Sequence, residues 1–281
     1  MVKRILFLAF GLIALTTFAQ EVKVMSYNIR LDVASDGDNR WEIRRQTMAN
    51  LINYYAPDFL GTQEVLENQR TYLLQQLPQY KTIGVGRKDG KSSGEYSCIF
   101  YQPAKYKLIQ QATFWLSPTP KVIASVGWDA ALERVCTYGL FQHKKSKQFI
   151  WVVNTHFDHM GDTARYESAK LIWNTINTLK KAHPYPVVFM GDLNSRPADP
   201  PIVFLDEVMT NTRAVSKQAP LGPSDTWNGF QFNQKPNGCI DYIFIEKQSP
   251  LIVHKFITIT QSYDQKYPSD HLPIMATLNY K

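Results

Sequence analysis

Hydrophobic and polar positions alternate over residues 21–31, where Val22, Val24, Ser26 and Asn28 are set against Lys23, Met25, Tyr27 and Ile29. That period predicts a β-strand. The period changes over 41–55. Apolar residues at 41, 48, 51, 52 and 55, with Arg44 and Arg45 between them, fit an amphipathic helix stopped by Pro57. A second strand is expected at 58–65, then a helix at 67–77 with Tyr72, Leu73, Leu74 and Leu77 on one side, then a strand at 80–85. Further strands are expected at 96–101, 107–115, 134–143 and 149–156. Asp162 can cap a helix running through Arg165, Ala169, Ile172, Ile176 and Leu179 to Lys181. Residues 186–197 read P-V-V-F-M-G-D-L-N-S-R-P, and their four consecutive large apolar residues suit a strand buried on both faces. A helix is expected over 199–213 and closing strands at 239–246 and 272–278, with 251–260 between them. The stretches 32–40, 87–94, 117–133 and 219–237 read as loops.

Strand–helix–strand occurs twice at nearly the same interval, from Asn28 to Glu64 and from Asn154 to Asp192. Two such halves imply two packed sheets with helices outside, and polar residues at matching strand ends would gather at one edge. No low-complexity linker or composition break divides the chain, so 20–281 is expected to form a single domain. With 281 residues, 44% hydrophobic and 20% charged, the chain can bury a sizeable core. Its formal charge of +7 favours anionic partners. The basic residues are scattered, however, and the densest run, at 143–147, reads as a solvated hairpin turn rather than a nucleic-acid patch.

Lys3 and Arg4 precede an apolar run at 5–15, with small residues Thr17 and Ala19 after it. Residues 1–19 therefore read as a signal peptide, and the mature protein as exported, periplasmic or extracellular after cleavage near Ala19. The run falls short of the roughly 20 apolar residues a spanning helix needs. Cys98, Cys136 and Cys239 lie far apart inside strand-like segments. Each is expected to be a small core residue, although one disulfide among them stays open.

Polar residues cluster at the strand ends. Asn28 lies in S-Y-N-I-R, Glu64 in G-T-Q-E-V and Glu95 in G-E-Y-S-C-I-F-Y. His156 and Asp158 lie in N-T-H-F-D-H, Asp192 and Asn194 in G-D-L-N-S, Asp241 in C-I-D-Y-I-F-I, and Asp270 with His271 in P-S-D-H-L-P-I. Any one of them alone also reads as a strand end with a turn, a salt bridge or a core histidine. Together they share a chemistry. Carboxylate and amide oxygens without a thiolate suit a hard cation such as Mg²⁺ or Mn²⁺. An Asp can orient or deprotonate water, and two His can donate to phosphoryl oxygens.

These segments, in this order and over nearly the whole mature chain, resemble the endonuclease/exonuclease/phosphatase superfamily. The resemblance implies a DNase I-like, four-layer α/β-sandwich of two packed mixed β-sheets flanked by helices. It implies phosphoester hydrolysis assisted by Mg²⁺ (or Mn²⁺). Asn28 and Glu64 match the family's metal-site residues, with Asp270 nearby. Asp192 matches the water-activating residue, Asn194 a phosphate holder, and His156 and His271 the histidine pair. Glu95 and Asp241 match the carboxylate partners of His156 and His271 respectively. Arg134, Asn154 and Trp227 are candidate substrate contacts, Arg134 equally well a structural salt bridge.

The substrate stays open among nucleic acid, a phospholipid headgroup and a phosphorylated sugar or inositol, because specificity resides in the loops. No stable protein partner is implied, and a monomer is expected. The T-H-F-D-H run is similar to a metallo-β-lactamase zinc motif, but Asn154 stands where its first His would be. A catalytically silent secreted carbohydrate- or surface-binding protein is the other reading. Against it, binding alone needs no water-activating carboxylate.

Overall fold

The computed structural model describes residues 20–281, so the expected signal peptide lies outside the described residues. Among the described residues the chain runs β1 (Glu21–Asn28), a 3₁₀ turn (Ala34–Asn39), α1 (Trp41–Tyr55), β2 (Phe59–Val65), α2 (Glu67–Gln76), β3 (Lys81–Ile83) and β4 (Tyr96–Tyr101). It continues through β5 (Tyr106–Trp115), β6 (Val135–His143), β7 (Phe149–His156), α3 (Asp162–Ala182), β8 (Val187–Asp192), α4 (Pro200–Val208), β9 (Met209–Asn211), β10 (Asp241–Glu246), β11 (Leu251–Thr258) and β12 (Ile274–Tyr280). No helix among them is long and apolar enough to cross a membrane.

The strands form two mixed six-stranded sheets, ordered β11-β12-β1-β2-β4-β3 and β5-β6-β7-β8-β10-β9. Each has one parallel pair near its centre, β1 with β2 and β7 with β8. Those pairs are the two strand–helix–strand halves legible in the sequence. Strand alternation divides the apolar residues into three layers. Val22, Val24, Val188 and Met190 point between the sheets. Met25 and Tyr27 face outward onto Trp41, Met48 and Ile52 of α1 and Leu73 of α2. Val187 and Phe189 face the other way, onto Ile172 and Ile176 of α3 and Leu205 of α4. The chain is a four-layer α/β-sandwich, and its central strands are buried on both faces as their apolar runs required. Full burial of each Val, Met or Phe contributes about 1.5–3 kcal/mol.

Two local expectations are corrected. The helix expected over 199–213 stops at Val208, and Met209–Asn211 forms β9 instead. Thr210 pairs with Ile245 on the edge of β10, so sheet pairing overrides helix propensity there. Asp162 does not cap α3. Gly161 occupies that position, and the Asp129 carboxylate from the 117–133 loop accepts the N–H groups of Thr163 and Ala164 at 3.1 and 2.6 Å. All three cysteines are free, with Cys98 and Cys136 buried.

Asn154 is the third correction. Expected to touch substrate, it is instead fully buried between the sheets. Its Nδ2 donates to Thr62 O at 3.0 Å and Cys98 O at 2.8 Å, and its Oδ1 accepts from Gln63 Nε2 at 2.7 Å. The amide thus ties β7 of one sheet to β2 and β4 of the other. Asn154→Ala would leave buried polar groups unpaired and should lower unfolding free energy by about 2–4 kcal/mol. Turnover per folded molecule should stay near wild type. Denaturant melts beside active-site titration check both halves, and a kcat loss with unchanged stability would restore the substrate-contact reading.

Candidate active site

Register assembles the site. His156 ends β7, Asp192 ends β8 and Asp241 opens β10. Across the sheet His156 pairs with Asp192, and Asp192 with Asp241. On the other sheet Asn28 closes β1, and Glu64 sits where the β2–β4 register breaks between Thr62 and Val65. A Cβ at Gly191 would lie 2.3 Å from Thr155 O, so glycine lets β8 close on β7 just before Asp192. Glu64 and Asn194 hold φ of 62° and 44°, a left-handed backbone costing on the order of 1 kcal/mol for a residue with a Cβ.

The side chains converge on Asp192, which is 1% exposed. Its Oδ2 accepts from Asn28 Nδ2 at 2.9 Å and lies 3.4 Å from His156 Nε2 and 3.7 Å from His271 Nε2. Its Oδ1 accepts from the Asn194 backbone N–H at 3.0 Å. Asn28 Nδ2 also reaches Glu64 Oε1 on its own sheet at 3.0 Å, so the bond from Asn28 to Asp192 is the one that joins the two sheets. His271 Nδ1 is 2.9 Å from Asp241 Oδ2, as expected. The partner expected for His156 is corrected. Glu95 takes the Arg87 guanidinium in two contacts, 2.7 and 3.0 Å, while Arg134 occupies His156 Nδ1 at 3.0 Å. The pairing is local, because Arg87 already faces Glu95 across its loop through a backbone hydrogen bond.

Electrostatics separate the groups. Burial pushes the Asp192 carboxyl up to about 7, with Asp241 adding and His271, Asn28 and Asn194 opposing. Burial works against a charged His271, but Asp241 and Asp192 outweigh it and hold the imidazole well above its ordinary value. His156 goes the other way. Burial, then Arg134 and Arg87, hold it well below the ordinary value, so its contact with Asp192 is between a neutral ring and an acid, not an ion pair. Burial would raise Asp158, yet backbone N–H groups of Gly161, Met160 and Ala131 hold it at about 2. Asp158 anchors the 117–133 loop through Ala131 and Leu132 rather than entering the site.

Asp192, His156, His271, Asn194, Glu95, Glu64, Asp270, Arg134 and Trp227 line one cavity of about 570 Å³. Asp241 and Asn28 lie just behind that wall, buried. Trp227, 40% exposed, sits on the rim, its backbone bridged to His271. Residue types alone missed four contributors. Arg30 lies 3.8 Å from Glu64 and 3.9 Å from Asp270. Buried Arg44 donates to Ile29 O, Arg30 O and Pro268 O, tying the end of β1 to the segment before β12. His159 and Arg196 also line the cavity. His159 stands inside N-T-H-F-D-H, and Arg30 inside S-Y-N-I-R, so both were within motifs already noted.

The donor set fits a hard cation best beside Glu64, Asn28 and Asp270. These are oxygen donors, and burial and Glu64 both raise Asp270 above its ordinary value, leaving crowded carboxylates that a cation would relieve. Asp192, Asp241 and His271 also place ligand atoms within 4.8 Å of one another. There, however, both nitrogens of a protonated imidazole already face carboxylates, which leaves no lone pair for a metal.

The sequence from 25 to 271 matches the model of the Endonuclease/Exonuclease/phosphatase family. The chain belongs to this family. An endonuclease/exonuclease/phosphatase family protein from Bacteroides thetaiotaomicron is 32% identical, with a TM-score of 0.88, covering 94% of this chain and 96% of that one. A mannosyl-6-phosphatase from the same species, Bt3783, is also 32% identical with a TM-score of 0.88, covering 92% of this chain and all of that one. A probable RNA exonuclease of Schizosaccharomyces pombe is 25% identical over 64% of this chain and 38% of its own length. The chain spans less than half the length of the curated relatives it matches, 47% and 38%. The family, and two of these relatives, are named for phosphoester chemistry.

A buried acid at the centre of the site has a thermodynamic signature. The folded protein holds the Asp192 proton up to about pH 7, whereas an ordinary Asp releases it near 3.8. Raising the pH between those values therefore destabilises the metal-free fold. Asp192→Asn should stabilise it at pH 8 by on the order of 1–4 kcal/mol, with the gain vanishing near pH 4. Thermal melts of both proteins in chelator at the two pH values measure this, and a pH-independent difference would refute the assignment.

Proposed function

We propose that this protein is an exported, Mg²⁺- or Mn²⁺-dependent phosphatase of a small phosphorylated sugar. The observation that carries the reading is Asp192 at the floor of a cavity of about 570 Å³. That volume suits a single small ligand. Likeness to a mannosyl-6-phosphatase along that protein's full length supports the sugar. Export rests on the leader-like residues 1–19.

In this reading Glu64, Asn28 and Asp270 hold the cation, which when bound neutralises charge on the phosphoryl group. Asp192 accepts a proton from the attacking water. His271, charged through Asp241, and Asn194 donate to the phosphoryl oxygens as charge shifts there. The Trp227 ring packs on the sugar face. A single-stranded RNA end is the second reading, supported by the similarity to a probable RNA exonuclease and by exposed Trp227 and Phe232 beside which bases would stack.

The test is a panel of mannose 6-phosphate, other hexose phosphates, inositol phosphates, sphingomyelin, single- and double-stranded DNA, RNA and a chromogenic diester. Each is assayed with Mg²⁺, with Mn²⁺ and with chelator. Sugar monoesters should turn over fastest, and chelation should abolish turnover. Asp192→Ala should lower kcat by about 10²–10⁴-fold. Activity that survives chelation or Asp192→Ala sinks the mechanism, and preference for RNA selects the second reading.

kcat/KM should also fall about tenfold per pH unit below the Asp192 pKa, because only the ionised carboxylate accepts a proton. Asp241→Asn removes the charge that holds His271 protonated, so its activity should decline at a lower pH on the alkaline side. An alkaline limb that does not move would exclude the protonated donor.

A further inference from the structure

Arg134 is 5% exposed, and its guanidinium faces two imidazoles at once. One terminal nitrogen lies 3.0 Å from His156 Nδ1 and the other 3.0 Å from His159 Nδ1, while its Nε is 3.5 Å from the Asp158 carboxylate. A guanidinium N–H can only donate, so each Nδ1 must accept. A neutral imidazole accepts at one nitrogen and donates at the other. We propose that Arg134 is a positioning residue that fixes both His156 and His159 as the Nε2–H tautomer.

One contact competes. Asn194 Nδ2 lies 3.0 Å from His156 Nε2 and 3.1 Å from Phe157 O. Both nitrogens of His156 cannot accept, so either Arg134 or Asn194 gives way. An amide presents oxygen or nitrogen on rotation, whereas a guanidinium has no acceptor to offer. Arg134 therefore sets the tautomer. Nε2–H of His156 then faces two acceptors, the turned Asn194 amide oxygen at 3.0 Å and Asp192 Oδ2 at 3.4 Å. His159, its side chain 48% exposed, has its Nδ1 turned to Arg134 and its Nε2–H left for the cavity it lines.

The consequence for catalysis rests on the phosphoesterase reading. The two histidines around the scissile group are then unlike. His271, between Asp241 and Asp192, has N–H at both nitrogens, while His156 offers one N–H and no mobile proton. His156 serves as a hydrogen-bond donor, and proton delivery to a leaving oxygen falls to His271 or to water. His159 becomes a third histidine donor to the substrate.

Long-range ¹H–¹⁵N correlation spectra of ¹⁵N-labelled, metal-free protein at pH 8 read each imidazole tautomer, with His156→Gln and His159→Gln assigning the signals. Both residues should show a protonated Nε2 and an accepting Nδ1. Arg134→Met should return both rings to mixed tautomers with His271 signals unchanged, and Arg134→Lys should restore the pattern at one ring. Turnover of whichever panel phosphoester is active should fall about 10–100-fold in Arg134→Met, mainly in kcat, with partial recovery in Arg134→Lys. A protonated Nδ1 at either histidine of the wild type overturns the proposal, and that result needs no folded variant. So do unchanged tautomers in a folded Arg134→Met protein. The spectra require no substrate, so a protein inactive on every phosphoester would overturn the functional reading and leave this one standing.

Discussion

Asp192 holds a carboxyl group where the fold leaves it almost no water, and the rest of the site follows from that constraint. Its pKa near 7 records the cost of burial. The groups that offset the cost come from both sheets: Asn28 from β1, His271 from the segment before β12, and a backbone N–H from its own turn. Asn28 and His271 can be in place only when the sheets pack with their strand ends aligned. Asn154 and Gln63 enforce that alignment from within the sandwich. A Cβ at Gly61 would come within 2.6 Å of Asn154 Oδ1, so the bridge also depends on a residue without a side chain.

The two central histidines show how partners, not residue type, decide chemistry. Both are buried and both stand near Asp192. His271 has a carboxylate at Nδ1 and is held protonated. His156 has a guanidinium at Nδ1 and is held neutral. The difference traces to a single diversion, Glu95 closing on Arg87. The charge that would have matched the two histidines is used inside the 87–94 loop region instead.

Such a site opposes stability. Glu64 and Asn194 hold left-handed backbone, Asp270 and Glu64 crowd their charges around Arg30, and Asp192 resists ionisation. Three apolar layers offset this. The strands that carry the polar tips are the same ones whose Val, Met and Phe side chains fill those layers, so the strain sits at the ends of the best-packed elements. Asn28, Glu64, His156, Asp192 and Asp241 take their geometry from strand ends, and Asn194 and His271 from the turns beside them.

Much of this was legible in the residues. The period of two, broken twice by a helical period, determined two strand–helix–strand halves, because a strand buried on both faces must be apolar throughout. G-D-L-N-S marked where one of those strands stops and S-D-H-L-P the entry to the last strand, and hence where Asp192 and His271 stand. The sequence by itself therefore settled the sandwich and the residue types at its edge. Only the tertiary structure decided who partners whom. Glu95 went to Arg87 and Arg134 to His156 because loop 87–94 folds back on itself. Asn154, read as a substrate contact, shares the inter-sheet face of His156 but sits two residues deeper, where the facing sheet takes up its amide. Residues 209–211 left the helix because the edge of β10 offered hydrogen bonds that local propensity cannot foresee. Periodicity is local and survives in the chain. Pairing between groups far apart in sequence is set by packing, and it exists only once the sheets have met.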